Sequence, residues 1–143
     1  MRIYYIFLIK DEAYKIARDK PENLYKILES IYLLNNEDVV LGYRMFDKIC
    51  NTISKKNLNK LLDDSNIDSL SYTHFNNTHM INDFLENETT KLIVNNSHIK
   101  LKTNSPYPTF FKNLKNLNNL FVCDFINSDY FFLRNLNVKE PNR

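Results

Sequence analysis

Glycine is almost absent from the sequence: Gly42 is the only one among 143 residues, and tryptophan does not occur. Phosphate-binding loops and dinucleotide folds need clustered glycines, because their backbone must approach an anion closely and adopt positive φ. A single glycine excludes both kinds of nucleotide site. Turns that need positive φ must therefore use asparagine, which tolerates that conformation best among the other residues.

The chain also lacks a strong charge of either sign, a long apolar run and closely spaced cysteines. Nineteen Lys and Arg against 17 Asp and Glu give a net charge of +2, so we expect no direct nucleic-acid partner and no membrane surface. The apolar run at residues 3–9 is too short for a membrane span or a signal peptide. Cys50 and Cys123 lie far apart, which predicts two reduced thiols in a cytoplasmic protein.

Two strongly apolar segments near opposite ends of the chain predict the centre of a sheet. Residues 3–9 and 120–126 are rich in β-branched and aromatic side chains at successive positions, as in strands that are covered on both faces. We expect these two strands to pair. A hairpin over residues 89–103, with an asparagine-rich turn, adds two more strands. Residues 63–88 fit neither the helical nor the strand period and stay unassigned.

Helical patterns fill most of the remaining chain. Asp11 is placed to cap a first helix, on which Ala13, Ile16 and Ala17 share one face. A second helix follows, weaker helical patterns continue through the middle of the chain, and residues 108–118 predict a last helix. In the weaker region the apolar residues are expected to face inward, and they include Val39 and Tyr43.

The predicted architecture is a single domain over residues 1–143 of the α/β (α+β) class. It is layered, with a mostly antiparallel sheet of four to five strands that is covered by helices. Residues 130–133 are four apolar side chains in a row. They must be packed against this core, because their exposure would create a large apolar patch.

Candidate catalytic and metal-binding residues do not combine into a recognisable site. His74 and His79 are five residues apart, whereas a helical zinc pair is four apart with a third ligand nearby, so we interpret them as surface histidines. Cys123 lies inside an apolar strand and is expected to be an inert thiol. Asp124 interrupts the same strand and needs a hydrogen-bond partner, for which Arg134 is available. The sequence predicts no catalytic residue, metal site, cofactor or small-molecule substrate. A hydrolase is the third hypothesis, and it would need a deep polar pocket that contains Asp124, a histidine and Arg134.

Aromatic residues leave two binding hypotheses open. The chain has nine Tyr and ten Phe, and a sheet face with Tyr4, Tyr5 and Phe7 could stack bases, which makes a small nucleic-acid-binding domain the alternative function. The weak net charge and the missing Gly-rich aromatic signature argue against it. The one basic cluster is typical of a solvated helix face; it consists of Lys55, Lys56 and Lys60. Recognition of another protein is favoured, since Tyr, Phe, Met and Arg are the usual interface anchors.

Both ends of the chain resemble one family. The opening segment, Tyr4-Tyr5-Ile6-Phe7-Leu8-Ile9-Lys10-Asp11-Glu12, is similar to that of the sporulation inhibitor of replication protein SirA family of Bacillus and its relatives. The closing residues follow the family's ending in order, with two extra residues before the valine: Asp124-Phe125, Tyr130, Leu133 and Val138-Lys139-Glu140. The hairpin, the Phe110-Phe111 helix and the last strand also occur in matching order. The resemblance spans nearly the whole chain, although residues 35–88 align poorly.

The resemblance implies a non-enzymatic inhibitor that binds the N-terminal domain of the replication initiator DnaA and blocks initiation during sporulation. It places the partner-binding residues on the first helix, at Ala13, Tyr14 and Ala17, with a second contact near Met45. The family has large aromatics where this chain has the two alanines, and truncating an aromatic anchor costs on the order of 2 kcal/mol of binding. Either the interface is rebuilt around Tyr14 and neighbouring residues, or the partner has changed with it, or this chain binds something else.

Overall fold

The computed structural model describes residues 1–136, which form eight β-strands and five α-helices. The first part of the chain runs β1 (Arg2–Ile9), α1 (Asp11–Ala17), α2 (Glu22–Tyr32), α3 (Val39–Ile49), β2 (Cys50–Asn51) and α4 (Lys55–Ser65). The second part runs β3 (Tyr72–Phe75), β4 (Thr78–Asp83), β5 (Glu88–Val94), β6 (Ile99–Thr103), α5 (Thr109–Leu114), β7 (Leu120–Asp124) and β8 (Asp129–Phe132). None of the described helices has the length and apolar character needed to cross a membrane. Val138, Lys139 and Glu140, which contribute to the family resemblance, lie outside the described residues.

All the described strands join one antiparallel sheet in the order β3-β4-β5-β6-β1-β7-β8, with β2 paired to the end of β1. The predicted centre is confirmed, because β1 lies between β6 and β7, and Ile6 is opposite both Ile99 and Val122. A strand with a neighbour on each side and helices on each face must be apolar at successive positions, as β1 is. The mixed α/β class is confirmed. That residues 1–143 form a single domain stays a prediction.

The predicted number of four to five strands is wrong, because it missed the short β2 and the strands β3, β4 and β8. Inward positions of β3 and β4 carry Tyr72 and His79, whose polar atoms are hydrogen-bonded. These residues break the apolar alternation by which a strand is recognised. The tail is packed as predicted: Phe132 in β8 and the adjacent Leu133 are both buried.

The sheet separates two hydrophobic clusters. One face is covered by α4 and α5, and Ile6, Leu101 and Phe111 are buried there; we call it the α4–α5 face. The opposite face is covered by α1, α2 and α3, and we call it the α1–α3 face. Its cluster includes Phe7 and Phe121 and draws on strands β1, β7 and β8. No buried hydrophobic residue of β3–β6 belongs to that second cluster, so the α1–α3 face is only half covered by helices.

Asparagine takes most of the positive-φ positions, as the scarcity of glycine predicts. Asn76, Asn87 and Asn119 have φ of 54°, 51° and 65°, and among the described residues only Ser128 joins them. Gly42 lies within α3 instead, where an added Cβ would be 3.0 Å from Cδ1 of Leu34. The single glycine therefore serves close packing between α3 and the end of α2.

Candidate partner-binding surface

The start of α1 is fixed at two points. The backbone N–H of Lys10 donates to the carbonyl oxygen of Ile49 at the end of α3, at 2.9 Å. The side-chain amide of Asn119 donates to Oδ1 of Asp11, at 2.6 Å. Asp11 therefore ties α1 to the loop before β7, and it does not cap the helix as predicted; the N-cap residue is Lys10, without a side-chain cap. These contacts hold a helix of 7 residues that would be too short to persist alone.

The inner side of α1 is formed by Ala13, Tyr14 and Ala17. All three are half-buried and pack against the cluster of the α1–α3 face. The ring of Tyr14 meets that of Phe132 edge-on, with centroids 5.1 Å apart. The three predicted partner-binding residues of this helix are therefore adjacent, but they also contribute to packing within the molecule.

Ile16 is the exposed apolar residue of α1. It is 84% exposed, so the prediction that it shares one face with Ala13 and Ala17 is wrong. The orientation of the helix follows from Tyr14. Its ring packs against Phe132, and burying this ring removes more apolar area from water than burying the side chain of Ile16 would. With residues 13, 14 and 17 inward, Ile16 points on the order of 100° away from the centre of the inner side.

Met45 lies on α3, on the same side of the sheet as α1. It is half-buried and stands one helical turn before Ile49, the residue whose carbonyl oxygen accepts from Lys10. Phe46 and Ile49 pack into the cluster of the α1–α3 face, which places α3 in the same layer as α1. The four predicted partner-binding residues therefore lie in one helical layer.

The connection from α2 to α3 adds an exposed apolar surface that the sequence analysis missed. Leu33, Val39, Val40 and Tyr43 are between 64% and 68% exposed. The prediction that Val39 and Tyr43 face inward is wrong, because Gly42 occupies the position where α3 approaches its neighbours most closely. That glycine was the available signal, since a helix packs most tightly where it lacks a side chain.

A polar network joins α4 to the β3–β4 hairpin on the α4–α5 face. The hydroxyl oxygen of Tyr72 lies 2.6 Å from Oδ1 of Asp63 and 2.7 Å from Nδ1 of His79. Nδ1 of His74 is 2.7 Å from the same oxygen of Asp63, and Nε2 of His79 is 2.7 Å from Oδ1 of Asn59. His79 is fully buried, so its interpretation as a surface histidine is wrong. Asp63 is a third potential metal ligand that the spacing did not reveal.

The orientation of this network suits hydrogen bonding better than metal coordination. Asp63, His74 and His79 offer ligand atoms within 4.8 Å of one another. However, the two imidazole rings stack with centroids 4.1 Å apart and planes inclined by 15°. Their in-plane lone pairs therefore run side by side, whereas a tetrahedral zinc ion needs lone pairs that converge on one point. Burial, and then the neighbouring His74, lower the pKa of His79 to about 4, which keeps the ring neutral near pH 7.

Asp124 has a structural environment. It is buried, and its carboxylate accepts hydrogen bonds from the backbone N–H groups of Ile126 and Asn127. Its charged neighbour is Arg2, with Nε 3.9 Å from Oδ2, and not Arg134 as predicted. The side chain of Arg134 donates to Asn118 instead. The carboxylate therefore organises the turn between β7 and β8.

Neither cysteine is set up as a nucleophile. Burial raises the pKa of Cys50 to about 12 and also raises the pKa of Cys123. Both thiols stay protonated near neutral pH, and the thiolate is the reactive form. The prediction that Cys123 is a buried thiol is confirmed.

The aromatic strand that the nucleic-acid hypothesis proposed for base stacking is not accessible. Tyr4 and Phe7 are 3% and 8% exposed, so they cannot stack on a base. Tyr5 is half-buried and contacts the rings of Tyr32 and Phe125. Base stacking by the three residues together is therefore excluded.

One family model accounts for nearly the whole described chain. The model of the sporulation inhibitor of replication protein SirA matches residues 2–137. The chain belongs to the SirA family. The match includes residues 35–88, which the end motifs alone left poorly aligned. A search of curated proteins found no match.

Membership in the SirA family indicates the kind of process in which this protein acts. The family description names an inhibitor of replication that acts in sporulation, which implies a partner in the replication machinery. The described residues include exposed apolar side chains on α1 and α3 of the helical layer. Within this layer, Ile16 and Tyr43 are exposed, while Tyr14 and Met45 are half-buried.

Proposed function

We propose that this SirA-family chain inhibits replication initiation by binding the N-terminal domain of the initiator DnaA during sporulation. It acts in the cytoplasm by surface recognition, without catalysis, a cofactor or a small-molecule substrate. Two observations support the proposal: the family match over residues 2–137 and the exposed apolar side chains of α1 and α3. The identity of the partner is inferred from the resemblance of both ends of the chain to the SirA family.

The observation that carries the proposed binding surface is the exposure of Ile16 on a helix whose inner side is fixed. The start of α1 is held by the hydrogen bonds of Lys10 and Asp11, and its inner side is packed against the sheet. The outer side is open to solvent. An apolar anchor on an ordered helix loses little conformational freedom on binding, which favours affinity.

Ala13 and Ala17 change the character of this interface. They stand where the resemblance places large aromatic anchors, and a methyl group cannot fill a deep partner pocket. The interface therefore shifts to Ile16 and to the exposed part of Tyr14, with Met45 and the neighbouring apolar residues of α3 as the second contact. This is the rebuilt interface among the alternatives that the sequence left open.

Isothermal titration calorimetry with the DnaA N-terminal domain of the same organism tests the proposal. We expect a complex of one chain with one domain and a negative heat-capacity change, because the contact buries apolar surface. Absence of heat with both proteins at tens of micromolar, supported by a pull-down that recovers no complex, would contradict the proposed partner.

A further inference from the structure

The uncovered half of the α1–α3 face carries lysines and no acidic residue. The side chains that β3–β6 direct to this side follow from the strand registers. They are Thr73, Phe75, Thr78, Met80, Asn82, Thr89, Lys91, Ile93, Lys100 and Lys102. We call Lys91, Lys100 and Lys102 the lysine patch. Its three positive charges compare with a formal net charge of +2 for the whole chain, so the rest of the molecule is close to neutral.

The lysine patch is not neutralised within the described part of the chain. Lys91 and Lys102 are direct partners across β5 and β6, and Lys100 lies two residues before Lys102 on the same strand. Like charges at directly opposite positions destabilise a sheet. None of the ion pairs among residues 1–136 involves these three residues. An anionic ligand would relieve this repulsion.

An aromatic cleft adjoins the lysine patch. It has a volume of about 460 Å³ and lies between the α2–α3 connection and the sheet. Its lining includes Tyr5, Tyr32, Tyr43 and His98, with one acidic residue, Asp38, on the α2–α3 connection. Nζ of Lys100 is 5.8 Å from the centre of the Tyr5 ring, so the positive charge stands at the edge of the cleft. The surface thus has ammonium groups next to a cleft that can hold a planar apolar group.

We propose that the lysine patch and the aromatic cleft together bind single-stranded nucleic acid. Phosphates lie on the three lysines, and an unstacked base enters the cleft. Lys100 and Lys102 are roughly 6.7 Å apart along their strand, which lets them serve neighbouring phosphates. A duplex keeps its bases stacked and leaves the cleft empty, and an acidic peptide needs the charge but not the aromatic walls.

The net charge of +2 predicted no nucleic-acid partner, whereas the lysine patch favours one. The register of the sheet explains why the two indications differ. Net charge averages over the whole chain, whereas phosphate binding depends on how many positive charges share one surface. In the sequence, Lys91 is separated by several residues from Lys100 and Lys102. Only the pairing of β5 with β6 brings the three together.

Fluorescence anisotropy of a labelled 15-nucleotide oligothymidine, titrated with the full chain, tests the proposal. We expect a dissociation constant on the order of 1–100 µM in about 50 mM salt, and a slope of log K against log salt of about −2 for three phosphate contacts. The variant K91Q/K100Q/K102Q should bind at least about tenfold more weakly and with a slope near zero. Binding absent at ~100 µM in low salt would overturn the proposal.

A matched variant separates this surface from general charge. K55Q/K56Q/K60Q removes the same number of charges from α4, on the opposite face of the sheet, and should bind oligothymidine nearly as well as the native chain. Equal weakening in both triple variants would show diffuse attraction and contradict a defined site. Thermal unfolding of each variant establishes that it is folded.

Two further probes test the cleft and the class of ligand. A 15-mer of abasic sites has the same phosphates without bases, and we expect it to bind on the order of tenfold more weakly. Tyr43→Ala, at an exposed position, should weaken oligothymidine binding without changing the salt slope. Tighter binding of a labelled polyglutamate peptide or of a duplex than of oligothymidine would overturn the single-stranded assignment.

The lysine patch can be tested separately from the proposed binding to DnaA. It lies over β5 and β6, whereas the proposed protein contact lies on α1 and α3; the cleft residue Tyr43, on α3, is common to both surfaces. The variant K91Q/K100Q/K102Q should retain its affinity for the DnaA domain, and Ile16→Glu should retain its affinity for oligothymidine. Failure of either binding experiment leaves the other interpretable.

Discussion

His79 stacks on His74 across the β3–β4 hairpin, with ring centroids 4.1 Å apart, and the two rings differ in burial. His79 is fully buried and bonded at both nitrogens, to Tyr72 and Asn59. His74 lies nearer the surface, beside Asp63. A charge on His79 would therefore be desolvated and would also face a second imidazole.

The first prediction is a loss of stability in acid that depends on His79. Its pKa is about 4 in the folded chain and about 6.5 when unfolded. The unfolded state therefore binds the extra proton between these values, and the free energy of unfolding falls as pH drops from 6.5 to 4, by up to about 3 kcal/mol. Burial lowers the pKa of His98 as well, which adds loss of the same sign.

Urea unfolding of the native chain and of His79→Gln at several pH values measures this contribution. We expect the variant to be less stable at pH 7, because a buried hydrogen-bond network is disturbed, but to lose less stability between pH 6.5 and 4. The remaining slope in the variant reports His98 and the carboxylates. Parallel curves for the two proteins would show that His79 is not the titrating group.

The second prediction concerns Glu88, which is buried at the start of β5 and holds the start of α5. Its carboxylate accepts hydrogen bonds from the backbone N–H and the hydroxyl of Thr109 and from the hydroxyl of Thr90. Glu88→Ala leaves the half-buried N–H and hydroxyl of Thr109 without this acceptor, while the Thr90 hydroxyl keeps Thr103 as a partner; the change should cost about 1–3 kcal/mol of unfolding free energy. Glu86→Ala, at an exposed position, should change it by less than about 0.5 kcal/mol. Chemical denaturation compares the two, and equal effects would contradict the assigned role.

The third prediction separates the inner and outer sides of α1. Tyr14 packs edge-on against Phe132, so Tyr14→Ala should lower the unfolding free energy by about 1–2 kcal/mol. Ile16→Ala changes an exposed side chain and should stay within about 0.5 kcal/mol of the native value. Thermal and urea unfolding measure both. If Tyr14→Ala had the same unfolding free energy as the native chain, the ring would contribute nothing to packing.

The centre of the fold was predictable because its residues fit only one kind of secondary structure. β1 is apolar at successive positions, and only a strand covered on both faces buries such a segment, so its pairing with β7 followed from the two runs themselves. The use of asparagine at positive φ followed from the single glycine. In both cases one physical requirement had one available solution.

The remaining elements depend on contacts that the sequence does not display. His79 is a polar residue, yet it occupies an inward position of β4, because its two ring nitrogens are hydrogen-bonded to Tyr72 and Asn59. Ile16 points outward only because Tyr14 beside it contacts Phe132, a residue far along the chain. The resemblance placed the candidate protein surface on α1 around Tyr14, and it did not predict that Ile16 is the exposed apolar residue of that helix.

The most direct test of the account compares Ile16→Glu with Ile67→Glu by calorimetry against the DnaA N-terminal domain. Both isoleucines are highly exposed, at 84% and 77%, but Ile67 follows α4 and lies far along the chain from α1. We predict that Ile16→Glu weakens binding at least about tenfold, as burying a charge in an apolar contact requires, while Ile67→Glu stays within about twofold of the native affinity. Native affinity in the Ile16→Glu variant would contradict the proposed surface.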